Sequence, residues 1–229
     1  MGTSEYVFKE GADGSLEPVF DFNRLYQDVT DPWDQSGASS APVMSAYYRH
    51  SRHRLASVLK RVLSAYAGPV LEVGCGHGHV VDYLSKELPY ATIEGIDISS
   101  MAIMGAYKRY PHRRFRVSNI LENYTHPKQC VVILNQVLWY IAARLDDALN
   151  NCASSLEENG YLVISQAFLK SGQRYMPELD FNGLLRRMLD HKEWQVIGVE
   201  YDYAGNYKHH DGLLVFRRKA AECGAVCHE

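Results

Sequence analysis

No unbroken apolar run of membrane length occurs in the 229 residues, although 46% of them are hydrophobic. A lipid-spanning helix needs about 20 apolar residues in succession, so the chain is expected to lie outside any membrane, with one full core of single-domain size. The first thirty residues carry charges throughout and offer no apolar core of signal-peptide type, which makes the cytoplasm the expected location. Charge of one sign is barely in excess: 24 Lys and Arg stand against 27 Asp and Glu, a formal net charge of −3. That balance provides no electrostatic footprint for a nucleic acid partner. Cysteine is sparse and odd in number, at Cys75, Cys130, Cys152, Cys223 and Cys227, which argues for reduced thiols rather than a disulfide framework. Cys223, Cys227 and His228 lie in a small, polar terminal stretch without a further ligand pair, so 220–229 reads as a flexible tail and no metal is assigned. Internal repeats and low-complexity blocks are absent.

Two local basic runs need a reading. Arg49, Arg52, Arg54, Lys60 and Arg61 surround Leu55, Val58, Leu59, Val62, Leu63 and Tyr66, one apolar face at helical spacing with charge on the other. Arg109, Arg113, Arg114 and Arg116 bracket a short strand. Both runs read as solvated faces rather than an RNA surface.

Against these absences stands one dense motif. Pro69-Val70 opens an apolar strand, and Leu71-Glu72-Val73-Gly74-Cys75-Gly76-His77-Gly78 carries it through three alternate glycines toward a helix. Glycines there let the backbone approach a ligand closely, and the helix that follows offers free N–H groups. Ala91-Thr92-Ile93-Glu94-Gly95-Ile96-Asp97 reads as a second strand ending in an acid about 20 residues past the loop, where such folds bind ribose hydroxyls. Together the two features predict an adenosine-cofactor site.

Strands and helices alternate along most of the chain. Residues 1–45 carry Gly11, Gly14, Pro18, Pro32, Gly37 and Pro42 and read as a loop-rich arm with one short helix near Phe20–Gln27. Its aromatics, Phe20, Phe22, Tyr26 and Trp33, are too dense for a free tail and predict that the arm packs over something. Residues 46–219 then form the principal domain, and a long helix over 44–67 leads into it. Strands are expected at 70–73, 92–97, 114–118 and 130–135, with helices at 79–88 and 99–110. Leu156–Gly160 should close a helix before a strand over 161–165, and two closing strands are expected at 194–203 and 212–217, joined at Ala204-Gly205-Asn206. Such alternation implies a doubly wound α/β architecture with a mostly parallel sheet.

The spacing Glu-x-Gly-x-Gly-x-Gly, with its acid two residues before the first glycine, differs from the G-x-G-x-x-G of pyrophosphate binders and resembles the class I S-adenosylmethionine-dependent methyltransferases. The resemblance implies a Rossmann-like sheet of seven strands with only the last antiparallel, and S-adenosyl-L-methionine as cofactor. It places Glu72, Gly74, Cys75, Gly76 and Gly78 under the cofactor, Asp97 on both ribose hydroxyls with Ile98 beside it, and Asn119 on the adenine amine with Ile120. Asn119 replaces the commoner Asp, and its amide oxygen can still accept. Asn135 and Gln136 follow the fourth strand and complete the set. No Pro-Pro pair appears in Asn135-Gln136-Val137-Leu138-Trp139-Tyr140, which counts against a base-methylating enzyme, and no acidic cluster suggests a metal-dependent type.

Asp31-Pro32-Trp33 followed by Tyr47-Tyr48-Arg49-His50-Ser51-Arg52 resembles small-molecule N-methyltransferases of the nodulation-factor type. In those proteins an aromatic arm acts as a lid, and a tryptophan and an arginine contact the cofactor, the arginine through its carboxylate. Trp33 carries over directly; Arg49 or Arg52 takes the second place, with Arg52 favoured. Plain anchoring of the arm is the other reading of Trp33. The resemblance further suggests substrate contacts from Gln166, Arg174 and Tyr175, with Lys170 a surface-loop residue; Trp139 and Tyr140 are either substrate contacts or a helix start packed on the sheet.

A neutral amine needs no base, whereas a hydroxyl acceptor would use one. The candidates are His50, His79 and Tyr140, although His79 also reads as a helix-start residue. The expected activity is methylation of a small-molecule or saccharide-like acceptor, nitrogen first and oxygen next. A tRNA or protein methyltransferase, and a non-catalytic cofactor-binding protein, are the rivals.

Overall fold

Cys130-Val131-Val132-Ile133-Leu134 is apolar at every position because the strand it forms is covered on both faces, and successive side chains point to opposite sides. Val132 and Leu134 enter one core cluster, while Val131 and Ile133 enter the other. In the computed structural model, which describes residues 4–12, 14–36, 42–63, 67–122, 127–169, 176, 179–202 and 209–220, the elements run α1 (Ser4–Val7), β1 (Phe8–Glu10), β2 (Leu16–Pro18), α2 (Phe22–Asp28), α3 (Pro42–Val62), β3 (Pro69–Val73), α4 (His79–Glu87), β4 (Thr92–Asp97), α5 (Ser100–Arg109), β5 (Arg114–Val117), β6 (Gln129–Asn135), α6 (Leu138–Ile141), a 3-10 turn (Ala142–Arg144), α7 (Leu145–Ser155), β7 (Leu156–Leu169), α8 (Phe181–Asp190), β8 (Trp194–Asp202) and β9 (His209–Arg218).

The large sheet has the order β5-β4-β3-β6-β7-β9-β8. Neighbours from β5 to β7 pair parallel, and β9 alone runs antiparallel, to both β7 and β8. This is the Rossmann-like arrangement expected, with the order reversing between β3 and β6. Leu55, Leu59, Val80, Leu84 and Ile103 of α3, α4 and α5 cover one face, and Leu145, Leu149, Leu184 and Met188 of α7 and α8 cover the other. No described helix is long and apolar enough to cross a membrane.

The arm holds more structure than one helix. β1 and β2 pair as a hairpin, Phe8 opposite Pro18, and strands of three residues are too short to show a period in sequence. α2 matches the helix expected there, and α3 begins at Pro42, so the boundary placed at 45 falls inside a helix. Asn23 of α2 docks on the start of α5, its Oδ1 accepting from the Ser99 hydroxyl at 2.9 Å and the Ser100 hydroxyl at 3.2 Å. α8 was not foreseen, although Phe181, Leu184 and Met188 mark its buried side. α7 ends at Ser155, and Leu156 already pairs with Gln129; Asn159 then turns left-handed at φ 62° before the ladder resumes at Tyr161. The turn at Ala204-Gly205-Asn206 and the tail from 221 lie outside the described residues, as do Cys223, Cys227 and His228. Cys75, Cys130 and Cys152 are buried thiols outside any disulfide among the described residues.

The basic runs find acids on neighbouring elements. Arg54 and Arg61 both reach Glu200, Lys60 reaches Glu87, Arg113 reaches Asp82 and Arg116 reaches Glu94. Charges paired in this way belong to faces of the fold that carry both signs.

Candidate functional site

In a parallel sheet, the backbone leaves each strand at the same edge, so β3, β4 and β6 end together and open a crevice where the order reverses. Gly74 and Cys75 donate their N–H groups to the Ile96 carbonyl at 2.7 and 2.9 Å, which ties the glycine loop to β4. Gly74 has φ 71° and Gly76 φ 51°, a region that side chains rarely adopt. A β-carbon at Gly74 would stand 2.3 Å from Val137 Cγ1, and one at Gly76 would stand 2.7 Å from the Tyr26 hydroxyl. The absence of side chains in this cradle is therefore steric as well as conformational. Gly78 gives its space to the Phe115 ring behind the loop. The Cys75 side chain turns to the same interior, against Gly95, and burial holds its thiol well above its ordinary pKa.

Asp97 ends β4 with 7% of its surface exposed. Its Oδ2 accepts from the Gly76 N–H at 2.8 Å and its Oδ1 from the Ser99 N–H at 2.9 Å. Burial pushes its pKa up, and the two backbone donors oppose that rise. Each carboxylate oxygen retains a further acceptor site. Asn119 uses its Oδ1 to accept from Leu121 N–H at 3.0 Å and its Nδ2 to donate to Glu122 at 3.1 Å. Asp97, Ile98, Asn119 and Ile120 all line one cavity of about 1060 Å³.

Beneath the loop lies a set of incompletely satisfied polar atoms. Glu72 is 2% exposed; its Oε1 accepts from Asn135 Nδ2 at 3.5 Å. Glu72 Oε2, Asn135 Oδ1 and Arg52 Nε are buried without a partner. Such atoms cost about 1–3 kcal/mol each, and two acceptors beside a guanidinium match a ligand bearing both an ammonium and a carboxylate. Arg52 itself donates Nη2 to the Gln35 carbonyl at 2.7 Å and lies 5.5 Å over the Tyr48 ring, whereas Arg49 is exposed. Neither arginine belongs to the cavity wall.

Burial raises the Glu72 pKa to about 8 from an ordinary 4.5, against the opposing pull of Asn135 and Arg52. Between those two values the native state keeps a proton that the unfolded chain has released, so stability falls as pH rises from 4.5 to 8 and levels off above. Glu72→Gln should flatten that fall by roughly 2–5 kcal/mol. Urea melts at pH 5 and pH 8 measure it, and equal pH dependence in both proteins would show that Glu72 ionises normally in the fold.

The arm supplies the other wall of the cavity. Trp33 Nε1 donates to the Tyr26 hydroxyl at 3.0 Å, and the Tyr48 hydroxyl donates to the Trp33 carbonyl at 2.6 Å. Tyr140 stands among Phe8, Phe20, Phe22 and Trp33 at ring separations of 5.1 to 6.5 Å. Phe20, Phe22, Tyr26, Trp33, Tyr47, Tyr48, Trp139 and Tyr140 all line the cavity. Both Trp139 and Tyr140 thus reach the site from the start of α6.

Several residues read from the sequence lie elsewhere. Gln166 is a correction: it is 0% exposed, its Oε1 accepts from Leu138 N–H at 3.1 Å and its Nε2 donates to the Ala167 carbonyl at 3.1 Å. Strand alternation turns it inward, and it braces α6 instead of facing a substrate. His79 is also displaced from the role of base. It is absent from the cavity wall, its Nδ1 meets the Tyr110 hydroxyl at 2.9 Å, and burial lowers its pKa to about 4. His50 is on the wall and exposed. Arg174, Tyr175 and Lys170 lie outside the described residues.

Sequence reasoning placed Tyr26 in the packing arm and Tyr47 in the motif after it without giving either a site role, and missed Asp202 and Asp211; all four are on the wall. Asp211 opens β9, and because that strand runs antiparallel its beginning meets the ends of the others, opposite Ala167 of β7. Tyr47 donates to Asp211 Oδ1 at 3.1 Å and accepts from Gln136 Nε2 at 3.1 Å. Gln136, with φ 57°, also accepts at Oε1 from Ala167 N–H at 3.0 Å.

Comparison with known proteins agrees with this architecture. The family profile described as Methyltransferase domain matches residues 47–209. Trans-aconitate 2-methyltransferase of Rhodopseudomonas palustris (strain HaA2) is 28% identical over 97 residues, 42% of this chain and 38% of that protein. The chain matches less than half the length of the curated relatives it resembles. The N-methyltransferase NodS from Bradyrhizobium japonicum WM9, in complex with S-adenosyl-L-homocysteine, superposes with a TM-score of 0.66 at 20% identity, covering 86% of this chain and 98% of NodS. Magnesium protoporphyrin IX methyltransferase (ChlM) from Synechocystis PCC 6803, with bound SAM, superposes with a TM-score of 0.65 at 17% identity over 86% of this chain and 93% of that one. At those identities the structures establish the fold, and the profile, covering most of the chain, establishes the lineage: this chain belongs to the methyltransferase domain family.

Proposed function

We propose that this chain transfers the methyl group of S-adenosylmethionine to a nitrogen of a small molecule. The observation that carries the reading is the cavity of about 1060 Å³, floored by the glycine cradle and roofed by the aromatic arm. Ligand pockets commonly hold about 300–1,000 Å³, so this volume suits a cofactor together with a small acceptor. When bound, S-adenosylmethionine supplies an activated methyl group on a sulfonium. The unpartnered oxygens of Glu72 and Asn135 suit its ammonium, Arg52 its carboxylate, and Asp97 its ribose hydroxyls. Gly74 and Gly76 leave room for it, and Trp33, Tyr26 and Tyr140 exclude water above it.

Methyl transfer is an in-line displacement in which alignment matters more than proton movement. The acceptor's lone pair forms the new bond, the electron pair of the breaking carbon–sulfur bond goes to sulfur, and the surplus proton on nitrogen passes to solvent. Of the two candidate histidine bases, His79 lies on Tyr110 away from the cavity and His50 stands on its wall. An amine acceptor predicts that His50→Ala alters the rate only modestly, whereas a hydroxyl acceptor using His50 as base would lose about 10²–10⁴-fold. Similarity to trans-aconitate methyltransferases supports a second reading, a carboxylate oxygen as acceptor. Incubation with methyl-labelled cofactor and separate pools of amines, hydroxyl compounds, carboxylates and RNA decides between them. Label should enter the amine pool; label confined to carboxylates or RNA would overturn the assignment.

A further inference from the structure

Two histidines lie where the arm rests on the glycine loop. His77 and His79 are 8% and 7% exposed, and they face Tyr26, Asp31, Trp33 and Gln35 across a cleft too narrow to admit a water molecule. The His77 and Tyr26 rings lie 4.9 Å apart. His79 Nδ1 is satisfied by the Tyr110 hydroxyl at 2.9 Å, whereas its Nε2 is buried without a partner. An imidazolium carries an N–H on both nitrogens, so a proton taken up in place would leave a charged donor at Nε2 with neither water nor an acceptor. Burying such a charge is costly.

The surrounding charges add to that cost. Arg109 of α5, Arg52 of α3 and His77 all disfavour an imidazolium at His79. Asp31 of the arm favours one, but its oxygens already accept from the Gln35 and Ser36 N–H groups at 3.0 and 2.8 Å. Asp82, one turn along α4, is engaged by Lys86 at 2.6 Å and by Arg113 at 3.0 Å. Burial raises the pKa of both phenols at hand, Tyr26 and Tyr110, so they stay neutral. Burial first, and then the two guanidiniums, hold His79 at about 4, and burial with Arg109 lowers His77. The arm forms one side of the cleft, so its release would open the His79 ring to water. We propose that the arm is a proton-controlled lid, which docks over a neutral His79 and is released when that ring takes up a proton. The docked state then holds fewer protons than the released one. Docking is fully favoured above the ordinary 6.5 of the ring and is lost progressively as pH falls toward 4, with His77 acting in the same sense.

Hydrogen exchange measures the ratio of docked to released arm in the protein alone, so the test stands whatever becomes of the methyl-transfer reading. After division by the intrinsic exchange rate at each pH, protection of residues 22–35 should fall about tenfold to thirtyfold between pH 7.5 and pH 5. Protection of β6, the central strand, is the reference for global unfolding. His79→Asn keeps an amide for Tyr110 but cannot take up a proton, and it should confine the fall to about threefold or less. The wild-type His79 ring, followed by NMR, should become charged over the same pH range in which arm protection is lost. Arm protection that matches β6 at both pH values, the same loss in His79→Asn with β6 still protected, or a His79 ring charged at pH 5 beneath a protected arm would each overturn the inference.

Discussion

Asp97→Ala should weaken S-adenosylhomocysteine at least tenfold. The residue works in two directions. Inward, its two oxygens accept from the Gly76 and Ser99 N–H groups at 2.8 and 2.9 Å and hold the glycine loop against the start of α5. Outward, it lines the cavity with acceptor sites still available to a sugar diol. Hydrogen bonds to a charged partner contribute about 1.5–3 kcal/mol each, so losing two corresponds to far more than one decade of affinity even after partial compensation by water. Asp97→Asn is the sharper variant. Its amide can accept through only one atom, and its NH₂ would confront either the Gly76 or the Ser99 donor, so it should also fall at least tenfold. Calorimetry on variants with native circular dichroism measures this, and unchanged affinity in both would remove Asp97 from the cofactor site.

Gly76→Val should abolish cofactor binding altogether. At φ 51° a β-branched residue is strained, and its β-carbon would begin 2.7 Å from the Tyr26 hydroxyl. The two penalties can be separated. Gly76→Ala combined with Tyr26→Phe removes the oxygen that collides but leaves the backbone strain, about 1–2 kcal/mol for a residue forced left-handed. The double variant should therefore recover part of the affinity lost by Gly76→Ala alone. Full binding by Gly76→Val would mean that the loop does not face the cofactor, and an absence of rescue by Tyr26→Phe would mean that the arm does not rest on the loop in solution.

Much of the architecture was legible because it is written locally. The run Cys130–Leu134 announces a strand covered twice, since alternation sends neighbours into opposite cores. The glycine spacing after Val73 and the acid at the end of β4 lie next to their strands in sequence, and a parallel sheet brings strand ends to one edge whatever the loops do. α8, which the sequence reading did not foresee, nonetheless carries a helical period in Phe181, Leu184 and Met188. The β1–β2 hairpin has no such signal, because three residues span barely one alternation.

Other placements depend on distant partners. Gln166 follows directly on the apolar strand residues, as an exposed binding residue would, yet the facing of β7 against β6 and β9 turns it into the interior beneath α6. Arg52 and Arg49 are three residues apart on α3, and only the docking of the arm, through the Gln35 carbonyl, gives them different surroundings.

By itself the sequence determined the Rossmann-like α/β architecture and the place of the glycine loop at the end of β3, because hydrophobic period and glycine spacing act between residues close along the chain. Only the tertiary structure decided the character of the opposite wall. Tyr47 on α3, Gln136 after β6 and Asp211 at the head of β9 are separated by 89 and 164 residues along the chain from Tyr47 to its two partners, and they meet because one strand reverses direction and brings its beginning to the edge where all the others end.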